Sequence, residues 1–144
     1  MDKAKAELVR DWLIKAQHDL GSAEKLASDP DPYLDTAIFH CQQAAEKAVK
    51  AFLVFHDQRF KKTHDIVKLI EAAVPFEAEV SSLIKEGAFL TPYATQFRYP
   101  DEDIGLDRDV FDRALAAAAK IFNFILSLLP EQVHPLKKQR VPGL

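Results

Sequence analysis

Gln42-Gln43-Ala44-Ala45-Glu46-Lys47-Ala48-Val49-Lys50-Ala51 is the stretch on which the reading of this chain turns. Together with its flanks it predicts a helix over about Tyr33 to His56. Leu34, Ala37, Ile38, Cys41, Ala45, Ala48, Val49 and Phe52 recur at helical spacing and form one apolar face. The small residues Ala37, Ala44, Ala45 and Ala48 allow a second helix to approach closely. At 100° per residue, His40, Gln43, Lys47 and Lys50 fall on one strip away from that face. Glu46 stands four residues before Lys50 and is placed to pair with it. The strip reads either as a solvated face with a helix-stabilising ion pair or as a row of donors for a phosphate. Phe39 and Val54 flank it and hint at a protein contact.

Outward from this helix the rest of the chain is also helical. Leu8, Val9, Trp12, Leu13, Ala16, Leu20, Ala23 and Ala27 predict a first helix over about Lys3 to Ala27, stopped by Ser28-Asp29-Pro30-Asp31-Pro32. Thr63 is a candidate N-cap for a short helix over about His64 to Ala73, with Asp65 suited to its first turn. A fourth helix is expected from about Phe76 to Leu90, with Thr91-Pro92 kinking or splitting its end. The last is expected from near Asp107 to near Leu129, on a stripe that includes Phe111, Ala114, Ala118, Ile121, Phe122 and Ile125. Residues 130–144, with Lys137, Lys138 and Arg140, read as an extended or disordered tail. The expectation is an all-α, up-and-down antiparallel bundle of four to five helices in a single domain, residues 1–129.

The totals fit this picture. The chain has 144 residues, 48% hydrophobic and 28% charged, enough for one core without cross-links. A net charge of −3 gives no global attraction to nucleic acid, although a local patch remains open. The only cysteine, Cys41, excludes an internal disulfide and falls on the apolar face, as a small core residue. The sequence opens without an apolar signal core and no run is long enough to span a bilayer, so a cytoplasmic location is expected. Histidines and cysteine lack metal-ligand spacing, and four glycines form no phosphate-binding loop, so neither metal nor cofactor is expected.

Two further groups carry candidate chemistry. His64 stands beside Lys61 and Lys62 where the third helix begins, either as a packing or capping residue or as part of an anion site at a helix N-terminus. Arg98-Tyr99-Pro100 offers a guanidinium for a phosphate and a ring for a base. Its structural alternative pairs Arg98 with Asp101, Glu102 or Asp103.

The run Gln42 to Ala51, with Lys62-Thr63-His64-Asp65 and Arg98-Tyr99-Pro100 in this order, resembles a HEPN domain (higher eukaryotes and prokaryotes nucleotide-binding) over about Leu8 to Leu129. The resemblance implies a helical bundle that commonly dimerises, associates with nucleotides or RNA, and is often paired with a minimal nucleotidyltransferase. In toxin-like members an arginine followed four to six residues later by histidine cuts RNA. Here those positions after Arg98 hold Glu102, Asp103 and Ile104, so the motif is incomplete. Carboxylates repel a phosphate and replace imidazole poorly near neutral pH. The resemblance therefore implies a non-catalytic nucleotide-binding or nucleotidyltransferase-partner homodimer, toxin–antitoxin-like in context. Lys47, Lys50, His64, Arg98 and Tyr99 are its candidate contacts. The alternatives are a metal-independent ribonuclease using Arg98 and His64, and a purely structural dimeric adaptor.

Overall fold

The structure, a computed structural model, describes residues 1–95 and 106–136. Among them there are five α-helices and no strand: α1 (Lys3–Ser28), α2 (Leu34–Phe55), α3 (Ile66–Ala73), α4 (Ile84–Leu90) and α5 (Arg108–Leu128). The expected all-α bundle is what the chain forms. Short 3₁₀ turns flank α4 at Ala78–Leu83 and Thr91–Ala94, so the predicted fourth helix is split at both ends. Pro92 sits in the second turn, where its missing N–H costs nothing.

Aspartates start three of the helices. Asp2 accepts from the Lys5 N–H, Asp65 from Lys68 and Asp107 from Val110. Asp65 rather than Thr63 caps α3. The Thr63 hydroxyl instead accepts the N–H of Asp65 itself, a local turn that comes before the helix.

α2 is the centre of the molecule. It packs against α1, α5 and α3 and also touches α4. Ala44, Ala45, Ala48 and Ala51 are fully buried, which is what close approach from several sides requires. The α1 stripe is buried at Val9, Leu13, Ala16, Ala23 and Ala27, whereas Leu8 is exposed and Asp19 is buried in its line. α5 contributes Phe111, Ala114, Ala118, Ile121, Phe122 and Ile125.

The ends of the helices give their directions. Arg108 at the start of α5 donates to the Ala27 carbonyl at the end of α1, 2.8 Å. Arg10 near the start of α1 donates to the Gln132 carbonyl just beyond α5. α5 is therefore antiparallel to α1 and runs in the same sense as α2. The up-and-down order survives because residues 57–65 climb back along α2. That return begins at Asp57, in the left-handed region (φ 57°), with Gln58 N–H donating to Leu53 O and Asp57 N–H to Val54 O.

The beginning of the expected tail is part of the bundle. Val133 is fully buried in a 3₁₀ turn, and the His134 Nε2–H donates to the carbonyls of Leu126 and Leu129, both at 2.9 Å. The exposed carbonyls at the end of α5 need a donor, and His134 supplies it. Lys137, Lys138 and Arg140 lie outside the described residues.

Gly87 marks a close contact of α4 with α3. A Cβ there would lie 2.9 Å from Ile70 Cδ1 and 3.1 Å from Ile66 Cγ2, on α3. Gly21, inside α1, has open space. Gly21→Ala should raise stability by up to about 1 kcal/mol through helix propensity. Gly87→Ala should lower it by about 1 kcal/mol or more, because the clash outweighs the same gain. Urea denaturation of the two variants checks both signs.

A second expectation concerns pH. His56 stacks on Phe76 at 4.8 Å and contacts the rings of Phe52 and Phe55. Burial, then the nearby Lys5, hold its pKa below the usual 6.5. The folded state thus binds fewer protons than the unfolded chain. Its contribution is intact above the unfolded pKa and is lost as pH falls through 6.5 toward the folded value. His56→Phe should flatten the fall in melting temperature between about pH 7 and 5.

Candidate functional site

The polar residues of α2 do not form an open strip. They belong to two internal clusters, one against α1 and one against the returning segment 57–65. In the first, the carboxylate of Asp19 accepts from His40 Nδ1 at 2.8 Å and from Lys47 Nζ at 2.6 Å. In the second, Glu46 is the hub. Its Oε1 accepts from His64 Nδ1 at 2.7 Å and from Gln42 Nε2 at 3.2 Å, and its Oε2 accepts from Lys50 Nζ at 2.9 Å. Gln42 also donates to the His64 carbonyl, 3.0 Å, while Gln43 donates to Gln42 Oε1, 2.7 Å.

Burial decides what these residues are free to do. The side chains of Glu46 and Lys50 are 4% and 9% exposed. Lys50 Nζ lies 5.8 Å from the Trp12 ring centroid and 5.5 Å from that of Phe60. Those two rings meet edge to face. An ammonium between aromatic faces and a carboxylate is held in place and shielded from water. Lys47 is tied to Asp19. Lys50 therefore does not present its charge at an open surface, and its expected role as a direct phosphate contact is corrected, whereas Lys47, paired with Asp19, keeps 24% of its side chain exposed. α1 and the 57–65 segment cover the side of α2 that periodicity alone placed in solvent.

His64 is different. Its side chain is 60% exposed although its Nδ1 is anchored on a buried carboxylate. An ionised carboxylate only accepts, so Nδ1 carries the shared proton and the Nε2 edge faces outward. In the neutral ring Nε2 is a proton acceptor; in the charged ring it is a donor for an anion. Lys61 and Lys62, three and two residues earlier, are exposed. The helix N-terminus beside it is not an anion site. Asp65 caps it, and the Ile66 N–H donates to the Thr91 hydroxyl at 3.1 Å.

That last bond ties the end of α4 to the start of α3, next to His64. The Thr91 hydroxyl in turn donates to the Gly87 carbonyl, 2.8 Å. Arg98 and Tyr99, and with them Asp101, Glu102 and Asp103, lie outside the described residues.

Glu46 was legible in the sequence as the partner of Lys50. Its partnership with His64, 18 residues away, depends on the return of segment 57–65 and was not legible. Cys41 is fully buried, and burial, then Glu24 and Asp19, push its thiol up to about 12, so it is no nucleophile at neutral pH. Among the described residues no group of three or more His, Cys, Asp or Glu could hold a metal ion, and no helix is long and apolar enough to cross a membrane.

Glu46→Gln should cost about 3–5 kcal/mol, because it leaves the Lys50 ammonium buried without a counter-charge. Adding Lys50→Met should recover most of that loss. Chemical denaturation of both variants tests this, and additive losses would refute the coupling.

The comparisons with known proteins agree with this architecture. A crystal structure of TT1696 from Thermus thermophilus superposes with a TM-score of 0.75 at 32% identity, covering 85% of this chain and 99% of that one. The structure of ST0689, described as an archaeal HEPN homologue, gives 0.67 at 28% identity, covering 83% and 96%. No curated protein matches the sequence. The HEPN domain family model matches residues 9–129. A match over most of the bundle, with solved relatives of the same fold, places this chain in the HEPN domain family.

Proposed function

We propose that this HEPN protein is a non-catalytic nucleotide-binding module, acting as a homodimer and as the partner of a minimal nucleotidyltransferase. The observation that carries the reading is His64, oriented through Nδ1 by buried Glu46 with its Nε2 edge in solvent beside Lys61 and Lys62. A fixed imidazole and two exposed ammonium groups suit a phosphate, for which charge matters more than exact geometry. In this reading Arg98 clamps the phosphate and Tyr99 stacks on the base. Lys47 and Lys50 act one step removed. Lys47 fixes α1 against α2, and Lys50 neutralises the carboxylate that holds His64.

One observation favours a second reading, a ribonuclease with a rearranged site. A histidine whose Nδ1–H is held by a carboxylate presents Nε2 as a proton acceptor, the arrangement that a general base for a 2′-hydroxyl needs. Arg98 would then stabilise the phosphorane charge.

Titration of the purified protein with ATP and with a short single-stranded RNA, following both binding and RNA integrity, separates these readings. Nucleotide binding predicts that ATP affinity is lost in Arg98→Ala, falls about tenfold in His64→Ala, and weakens as salt rises from about 50 to about 200 mM, with RNA intact. RNA cleavage lost in both variants selects the ribonuclease. Neither binding nor cleavage removes the nucleotide reading and leaves an adaptor, to be sought by its nucleotidyltransferase partner.

A further inference from the structure

Thr91 stands where α4 gives way to its closing 3₁₀ turn, one helical turn after Gly87. Its hydroxyl donates to the Gly87 carbonyl at 2.8 Å and accepts the Ile66 N–H at 3.1 Å. A hydroxyl can donate to a carbonyl and accept from an N–H through one atom. The Ile66 N–H is the first of α3, and no carbonyl of its own helix can satisfy it. Ile66 is fully buried, so Thr91 rather than water meets that need.

Gly87 makes this bond possible. It faces α3 so closely that an added Cβ would press on Ile70 Cδ1 and Ile66 Cγ2. The absent side chain lets α4 lie against Ile66 and Ile70 and brings the Thr91 hydroxyl within reach of the α3 backbone. The two residues stand four apart and share the face turned toward α3.

The bond falls two residues after His64. With its side chain 60% exposed, His64 is oriented by hydrogen bonds more than by packing. From α2, Glu46 Oε1 accepts from His64 Nδ1 at 2.7 Å and Gln42 Nε2 donates to the His64 carbonyl at 3.0 Å. Asp65 is bonded locally: its N–H donates to Thr63, and its carboxylate accepts the Lys68 N–H. Those bonds shape the turn without tying it to a neighbouring helix. Thr91 holds the Asp65–Ile66 peptide from α4, so His64 is fixed between two helices instead of hung on one.

We propose that Thr91 is a positioning residue for His64: its hydroxyl, brought in by Gly87, locks the start of α3 so that Glu46 keeps the Nδ1–H and Nε2 stays turned outward. Without the hydroxyl the Ile66 N–H is buried with no acceptor, and the turn shifts to find one. The ring then meets Glu46 less squarely, and Nε2 loses its fixed direction. The functional consequence rests on the reading of His64 as a binding group given above, but the state of the ring is measurable without any ligand.

Thr91→Val keeps the shape of the side chain and removes the hydroxyl, and Thr91→Ser keeps the hydroxyl. Ring-nitrogen NMR of the full-length protein in mildly alkaline buffer reads the His64 tautomer. The unaltered protein and Thr91→Ser should hold the proton on Nδ1, whereas Thr91→Val should give a mixture of tautomers. Gly87→Ala, which pushes α4 off α3 and leaves the hydroxyl in place, should give the same mixture and is read instead if Thr91→Val does not fold. Val133→Ala, in the buried turn after α5, controls for lost stability alone and should leave the tautomer unchanged. In an ATP titration Thr91→Val should weaken affinity about three- to tenfold, with no further loss when combined with His64→Ala. If the unaltered protein binds no ATP, the nucleotide reading of His64 falls and the tautomer alone decides on Thr91. The proposal is overturned if Thr91→Val, or Gly87→Ala in its place, keeps the original tautomer, if Val133→Ala changes it equally, or if Thr91→Val and His64→Ala weaken ATP binding additively.

Discussion

The carboxylate of Glu46 is the constraint on which the rest of this structure depends. It sits on the central helix, almost fully buried, and a buried charge is tolerable only when it is fully paired. Three donors from two parts of the chain meet that requirement: Lys50 one turn along α2, Gln42 one turn before Glu46, and His64 from the segment beyond. The first two are local. The third requires residues 57–65 to leave α2 at Asp57 and return along it, so satisfying one carboxylate fixes the path of the connection from α2 to α3. Phe60 on that path closes over Lys50 together with Trp12 of α1, which brings α1 into the same arrangement.

This explains why the helix at the centre carries so many polar residues. A helix surrounded on most sides is expected to be apolar all round. α2 instead buries Gln42, Glu46 and Lys50 and takes Asp19 from α1 onto Lys47 and His40. Hydrophobic contact between helices tolerates sliding, because any apolar patch meets another at similar cost. Directed ion pairs do not, and here they set the register of α1 and of the returning segment against α2. The same network reaches the surface most openly at the outer edge of His64. A side chain that is rigid on one nitrogen and open on the other is suited to binding or proton transfer. His40 is anchored in the same way on Asp19, but its side chain is only 27% exposed.

Much of this was legible in the sequence. Helical periodicity located all five helices to within a few residues, apart from the 3₁₀ start of the fourth, because stripes at Val9 to Ala27 and Phe111 to Ile125 leave no other burial pattern, and Pro30, Pro32 and Pro130 end them. The ion pair of Glu46 and Lys50 followed from spacing. The placement of the strip in solvent did not hold, since a wheel plot knows one helix and cannot know what packs on its polar side. His134 gave no signal either: its capping of α5 depends on a turn that brings it back over carbonyls five and eight residues earlier.

The sequence by itself determined the helices, their apolar faces and, through Gln42 to Ala51 and Lys62 to Asp65, the family. These are properties of local spacing, and local spacing survives in any context. Only the tertiary structure decided which charges are spent inside the molecule and which face outward. It made Lys50 an internal partner, tied Lys47 to Asp19, and gave His64 its carboxylate. The reason is that a charge is defined by its surroundings. An ammonium in water and one between two rings and a carboxylate are the same letter in the chain, and only packing distinguishes them.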